Sequence, residues 1–305
     1  MKAALLSDRG VVKVAGDDAR KFLNGLVTSD LAKLAPGNAR FAALLTPQAK
    51  IIADFFVAEI SDGSGFFLDC PRALAATLVE RLNFYRLRAK VTIEDRSASL
   101  GVLAIWHGDI DAHHGDIHRG TENGLCYADP RLPELGLRCV LPPERAGAAA
   151  SDLGATLVGA DQYDGHRITL AVPQGGVDFI YSDAFPHEAD MDQLNGVDFK
   201  KGCFIGQEVV SRMEHRGTAR TRVVPVTFEG PCPERGSPVI AGERSVGMMG
   251  SAAAGRGLAT LRLDRVDEAL AASSALLAGG VAIRVVKPHW ARFAFPGEAL
   301  SRTAR

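Results

Sequence analysis

Charge of one sign is what this 305-residue chain most obviously lacks: Lys and Arg total 35, Asp and Glu total 36, and the net charge is −1. A protein that coats nucleic acid over its whole surface is strongly basic, so that class is excluded, and any such contact must come from a local patch. Long apolar runs are missing too. Ala269 to Ile283, the longest uncharged stretch of interest, contains Ser and Gly and stops at Arg284, whereas a membrane helix needs about 20 apolar residues. The opening MKAALLSDRG holds four apolar residues between Lys2 and Ser7, fewer than the roughly 7–15 of a secretory core, so neither a signal peptide nor a membrane contact is expected. Cysteine is scarce and odd in number: Cys70, Cys126, Cys139, Cys203 and Cys232, with no C-x-x-C pair. This predicts free thiols rather than bridges, a reducing cytoplasmic setting, and no cluster held stably on four thiolates. No G-x-x-x-x-G-K-[ST] and no H-E-x-x-H occurs, and Gly175-Gly176 is no dinucleotide fingerprint, so NTP hydrolysis and zincin proteolysis have no basis.

What is present is enough apolar surface to fold. Hydrophobic residues make up 47% of the chain, which excludes a disordered protein, and its length suits two or three packed units. Val11 to Val14 reads as a strand ending at Gly16, and Asp17 or Asp18 is placed to cap a helix carrying Phe22, Leu23 and Leu26 on one face. Ala39–Leu45 and Ile51–Ile60 read as strands, Asp62-Gly63 as a tight turn, and Phe66 to Leu68 as the returning strand of a hairpin. Pro71 suits the first turn of a helix with Leu74, Leu78 and Leu82 at i, i+4 and i+8. Strands follow at 91–94, 101–106 and 138–141, a connection or loosely packed helix at 146–155, and a helix from Asp161. Pro173 to Asp192 shows no period and reads as a long ordered loop. After Arg222 short strands recur between Gly and Pro turns, as in a small barrel. The expected division is therefore 1–220 and 221–305.

One segment carries most of the information: Val197 to Gly217, VDFKKGCFIGQEVVSRMEHRG. Gly202 and Gly206 permit a tight path or a close approach to a ligand. A short helix follows, with Glu208 in its first turn, His215 and Arg216 in its last, and Gly217 placed to end it, an arrangement that suits the helix dipole. Cys203 sits just before that helix, beside Lys200 and Lys201, where positive charge favours the thiolate; the alternative is a small buried hydrophobe. Lys200, Lys201, Arg212, Arg216, Arg220 and Arg222 outnumber Glu208 and Glu214, a local excess suited to a carboxylate, a phosphate or a nucleic-acid backbone, or else a solvated helix face.

The run K-G-C-F-I-G-Q-E at residues 201–208, with R-x-x-x-R-G at Arg212 to Gly217, resembles the signature of the folate-binding YgfZ family, which shares a superfold with the aminomethyltransferase of the glycine-cleavage system. Gly16 to Asp30, Leu44 to Val57 and Gly247 to Leu263 are similar to other parts of that family. The resemblance implies an α+β fold: an aminomethyltransferase-like ring of two interleaved subdomains closed by a small C-terminal β-barrel. It implies tetrahydrofolate, or a derivative, as cofactor. The residues matching the family's ligand positions are Asp54, Tyr163, Lys201, Gly202, Gln207 and Arg212, and Cys203 is the functional thiol. The matching strand reads Ile51-Ile52-Ala53-Asp54-Phe55, so Asp54 keeps the second of two acids found in the transferases and Ala53 replaces the first. Arg167-Ile168-Thr169 has Thr where relatives place a pterin-binding Glu. Both departures argue against plain aminomethyl transfer. The implied function is a folate-binding accessory to iron–sulfur protein assembly or repair, with assembly or client proteins as partners and a link to tRNA modification; the alternative is a folate-dependent one-carbon transferase. DNA is not an expected partner, and a tRNA contact would run through residues 200–222.

His107, His113, His114 and His118 lie among Asp109, Asp111 and Asp116. Imidazole and carboxylate suit zinc or iron, yet the spacing fits no zinc-finger or zincin pattern, so a solvated loop and no metal site are expected there.

Overall fold

The computed structural model describes residues 1–107, 124–217 and 219–298. The histidine loop at 108–123 lies outside the described residues, and of its candidate ligands only His107 is inside them. Two compact units are present: Met1–Asp164 with Leu194–Ser211, and Gly165–Gln193 with Arg212–Arg305.

The first unit holds two five-stranded sheets. Strands β1 (Lys2–Leu6), β2 (Arg9–Ala15), β3 (Ala39–Leu45), β4 (Ile51–Glu59), β5 (Phe66–Pro71), β6 (Thr92–Asp95), β7 (Gly101–Trp106), β8 (Leu125–Ala128), β9 (Leu137–Leu141) and β10 (Thr156–Leu157) divide between the orders β3-β4-β5-β2-β6 and β10-β1-β7-β9-β8. In the first sheet β4 and β5 form the hairpin expected from Asp62-Gly63; the Asp62 carboxylate accepts from the Ser64 N–H at 2.8 Å. Helix α2 (Ala75–Arg86) buries Leu78 and Leu82 against this sheet, with Leu74 packed beside them. Pro71 ends β5 ahead of a short 3-10 turn rather than opening the helix. Asp18 precedes helix α1 (Ala19–Asn24) without capping it; its side chain instead accepts from the Lys90 N–H at 2.8 Å. That bond ties the start of α1 to the approach to β6.

In the second sheet, buried strand β7 lies between β1 and β9, and helix α3 (Ala146–Asp152) packs Ala146 and Ala150 onto that core. Here the expectation of free thiols fails. Cys126 and Cys139 are register partners on β8 and β9 and form a disulfide. Thirteen residues of separation gave no sign of a pairing that strand register creates. Closing a loop of that size is worth about 3 kcal/mol in the chain-entropy account. Cys139→Ser is therefore expected to lower the denaturation midpoint, and adding a dithiol reductant to the wild type should reproduce the loss.

In the second unit β11 (Thr221–Phe228), β12 (Pro238–Ala241), β13 (Arg244–Ala253), β14 (Arg256–Arg262), β15 (Leu276–Ala278) and β16 (Val281–Val285) close into a six-stranded barrel in the order β11-β14-β13-β12-β15-β16. Val224, Val226, Val239, Val246, Met249, Leu261 and Ile283 fill it. The segment from Pro173 to Asp192 runs without helix or strand, as expected, but it is firmly held. Buried Asp178 accepts from Arg167 and Gln174 at 2.8 Å and from the Ser251 N–H and hydroxyl at 2.7 and 2.6 Å, which ties the loop to β13. Helices α4 (Ala160–Thr169) and α5 (Gln207–Arg216) each begin in the first unit and end in the second.

Candidate functional site

The segment 196–206 is built against the end of α1. Helix ends leave carbonyls without intrahelical donors, and α1 is only six residues long. Buried Lys201 supplies the donors: its ammonium gives hydrogen bonds to the carbonyls of Asn24, Val27 and Ser29 at 2.7, 2.6 and 3.0 Å. Three donors are all an ammonium has, so this side chain is fully committed. Thr28 adds a second tie, donating to the Gly196 carbonyl at 2.6 Å while its own carbonyl accepts from the Asp198 N–H. Burial brings Lys201 down to about 8, against the pull of Asp30 and Asp198. Between about 8 and the ordinary 10.5, unfolding takes up a proton at this residue, so its contribution to stability rises with pH across that window. Comparing denaturation midpoints from pH 7 to 10 checks this: the rise is expected in the wild type and absent in Lys201→Met, which should also be less stable throughout.

Beyond Lys201 the chain alternates between exposure and anchoring. Gly202 and Cys203 are exposed, Phe204 is buried with its ring 5.4 Å from the Lys201 ammonium, and Ile205 packs on the core of the first sheet. Gly206 has φ +81°, and a Cβ there would sit 2.8 Å from the Thr46 carbonyl oxygen and 3.0 Å from the Ala49 Cα. Helix α5 then begins at Gln207, whose N–H bonds the Phe204 carbonyl at 3.3 Å. The result is a free thiol displayed between two buried anchors. A Cβ built at Gly202 would meet nothing within 4 Å, so the position is open rather than tightly packed. By contrast Cys70 is buried, and that burial pushes its thiol up to about 12.

A second polar cluster spans the two sheets of the first unit. Asp69 on β5 accepts from Arg9 Nε at 2.7 Å, Arg138 Nε at 2.7 Å and the Tyr127 hydroxyl at 2.9 Å. Arg131 pairs with Asp129 through two nitrogens at 3.0 and 2.7 Å. The guanidiniums of Arg138, Arg131 and Arg9 all lie over the Phe56 ring, at 4.5, 4.8 and 5.7 Å. Burial would discharge Asp69, but Arg138 and Arg9 hold its carboxyl below the usual range. None of these residues was singled out from the sequence. The available signal was a charge inside an apolar strand, Asp69 in FFLDC and Arg138 in LRCVL, which a sheet interior tolerates only when paired.

Two of the expected ligand residues reach this cluster. Asp54 on β4 is buried, and its charge acts on Arg9. Tyr163 is also buried; its hydroxyl accepts from Arg138 at 3.2 Å and its ring stands edge-on to Trp106 at 5.3 Å. Lys201, Gly202, Cys203 and Gln207 form the separate loop already described. Arg212 lies exposed on α5 in the second unit. The Thr169 hydroxyl donates back to the Gly165 carbonyl at 2.9 Å. Tested as a grip for tetrahydrofolate, the set holds one buried carboxylate, Asp54, while Lys201 and Tyr163 bond groups of the protein itself. The basic run is also thinner than its sequence: Lys201 and Arg222 are buried in contacts of their own, which leaves Lys200, Arg212, Arg216 and Arg220 against Glu208 and Glu214.

The fold of these units is that of an aminomethyltransferase. Aminomethyltransferase T of the glycine cleavage system from Bartonella henselae matches with a TM-score of 0.75 over 96% of this chain and 87% of its own, at 18% identity. Residues 6–108 match the GCVT N-terminal domain family, and residues 220–293 match the family described as CAF17, C-terminal beta-barrel domain. Among curated proteins, iron-sulfur cluster assembly factor IBA57, mitochondrial, of Homo sapiens is 34% identical over 244 residues, 76% of this chain and 67% of that protein. Its Mus musculus counterpart is 31% identical over 309 residues, 93% and 84% of the two chains. The Mycosarcoma maydis homolog is 35% identical over 240 residues, 74% of this chain but 57% of its own length, so the chain spans little more than half of that relative. The chain belongs to the IBA57 family. These relatives are named as mitochondrial, which overturns the expectation of a cytoplasmic protein drawn from sparse cysteine.

Proposed function

We propose that this chain serves the assembly of iron–sulfur proteins, with Cys203 as the thiol that meets an assembly or client protein. The observation that carries the reading is the exposed Cys203 between buried Lys201 and Phe204, in a chain of the IBA57 family. The K-G-C-F-I-G-Q-E resemblance to the YgfZ family supports the same role. Expression in cells lacking their own family member is the test. Restored activity of iron–sulfur enzymes, beside an unchanged enzyme that holds no cluster, is the expected result; no restoration by a soluble, folded chain would refute the assignment.

Tetrahydrofolate binding is the second reading, favoured by the aminomethyltransferase fold and by buried Asp54. Asp54 would orient a folate amine. Calorimetric titration with tetrahydrofolate is expected to show binding that weakens at least about tenfold in Asp54→Asn, the loss of one charge-assisted hydrogen bond. Equal binding in the variant would remove Asp54 from the site, and no binding by the wild type would remove the folate. A tRNA contact has less support, because two of the six cations in its patch are buried.

A further inference from the structure

A group of side chains outside both clusters has the composition of a metal site. His187 lies in the 173–192 loop, Asp192 at its end, and Glu214 in the last turn of α5, all within the second unit. One ligand atom from each lies within 4.8 Å of the others, and His187 Nε2 is 3.1 Å from Glu214 Oε2. Two ligands in adjacent positions on a cation, each about 2.1 Å from it, stand about 3 Å apart, so this pair is already at the spacing a shared ion requires. His187 and Asp192 are nearly inaccessible, while Glu214 is half exposed and gives the site an opening.

The charges point the same way. Asp190, Asp192 and Glu214 contribute three carboxylates, and the contacts described place one guanidinium, Arg222, against two of them. Arg222 donates to Asp190 Oδ1 at 2.9 Å and to the two Asp192 oxygens at 2.9 and 2.8 Å. A carboxylate has about four lone-pair positions, so Asp192 can accept from Arg222 twice and from the Gln193 amide and still offer one to a cation. Asp190 is fully buried, and its Oδ2 accepts no hydrogen bond. Such crowding of buried negative charge is relieved by a divalent ion.

We propose that His187, Asp192 and Glu214 bind a divalent first-row transition cation. One imidazole nitrogen and two carboxylates select manganese, iron(II) or zinc over calcium and magnesium, which take oxygen ligands. The ion would pin the last turn of α5, the helix that follows the Cys203 loop, to the 173–192 loop.

The test is titration of the full chain, freed of metal by a chelator, with Mn2+, followed by the paramagnetic resonance of the free ion. The exposed thiols of Cys203 and Cys232 are poor ligands for Mn2+, so the signal reports oxygen and nitrogen sites. One saturable site is expected, weakened at least about tenfold in Glu214→Gln and in His187→Gln. Glu214 is half exposed, so its variant is expected to fold even where His187→Gln does not, and it decides the matter. No saturable binding up to about 1 mM, or binding that survives Glu214→Gln unchanged, overturns the proposal.

Discussion

Asp69→Asn is expected to cost about 3–5 kcal/mol, the largest single loss available in the first unit. The carboxylate takes three hydrogen bonds, from Arg9, Arg138 and Tyr127, and its backbone carbonyl takes a fourth from Arg9. The amide keeps the shape but removes the charge, leaving Arg9 and Arg138 buried without their shared counter-ion and turning an NH2 group toward other donors. Chemical denaturation monitored by circular dichroism measures the loss. The same residue sets an acid limit. Its folded value is depressed, so its contribution is complete above the ordinary 3.8 and is lost as pH falls below it, a dependence that Asp69→Asn should lack.

Gly206→Ala carries the second-largest expectation, about 2–4 kcal/mol, with a consequence for the site as well. The backbone at φ +81° disfavours any side chain, and the new methyl would press on the Thr46 carbonyl and on Ala49, both backbone-fixed. Ala49 is itself buried at φ +65°, so the 46–49 turn has little room to yield. The loop holding Cys203 would have to shift. The expected signature is a lowered denaturation midpoint together with faster alkylation of Cys203 in the native state, read by mass spectrometry. An unchanged midpoint would mean that the two loops do not depend on each other.

These two residues show what the sequence could and could not convey. Gly206 stood inside a motif whose spacing was readable, and the strand pairs, the α2 stripe and the barrel strands followed from local period and turn chemistry. Their signals lie within a dozen residues of one another. Asp69, Arg9, Arg138 and Tyr127 come from β5, β2, β9 and β8, brought together by the packing of two sheets, so a charge inside an apolar strand is legible locally but its partners are not. The Cys126–Cys139 bridge was hidden for the same reason, since strand register decides which cysteines meet. Lys201 shows the converse. Its place in the motif suggests a ligand contact, while the carbonyls of Asn24, Val27 and Ser29, at and just beyond the end of α1, give it a structural duty that sequence alone could not separate from a binding one.

The central claim is that the loop exists to present a thiol. Restoring iron–sulfur enzyme activity in cells lacking the native protein, with wild type beside Cys203→Ala, tests it most directly. Cys203 is exposed, so the variant should denature at the wild-type midpoint. A folded variant, present at wild-type level, that fails to restore activity is the predicted result. Full restoration by that variant would contradict the account.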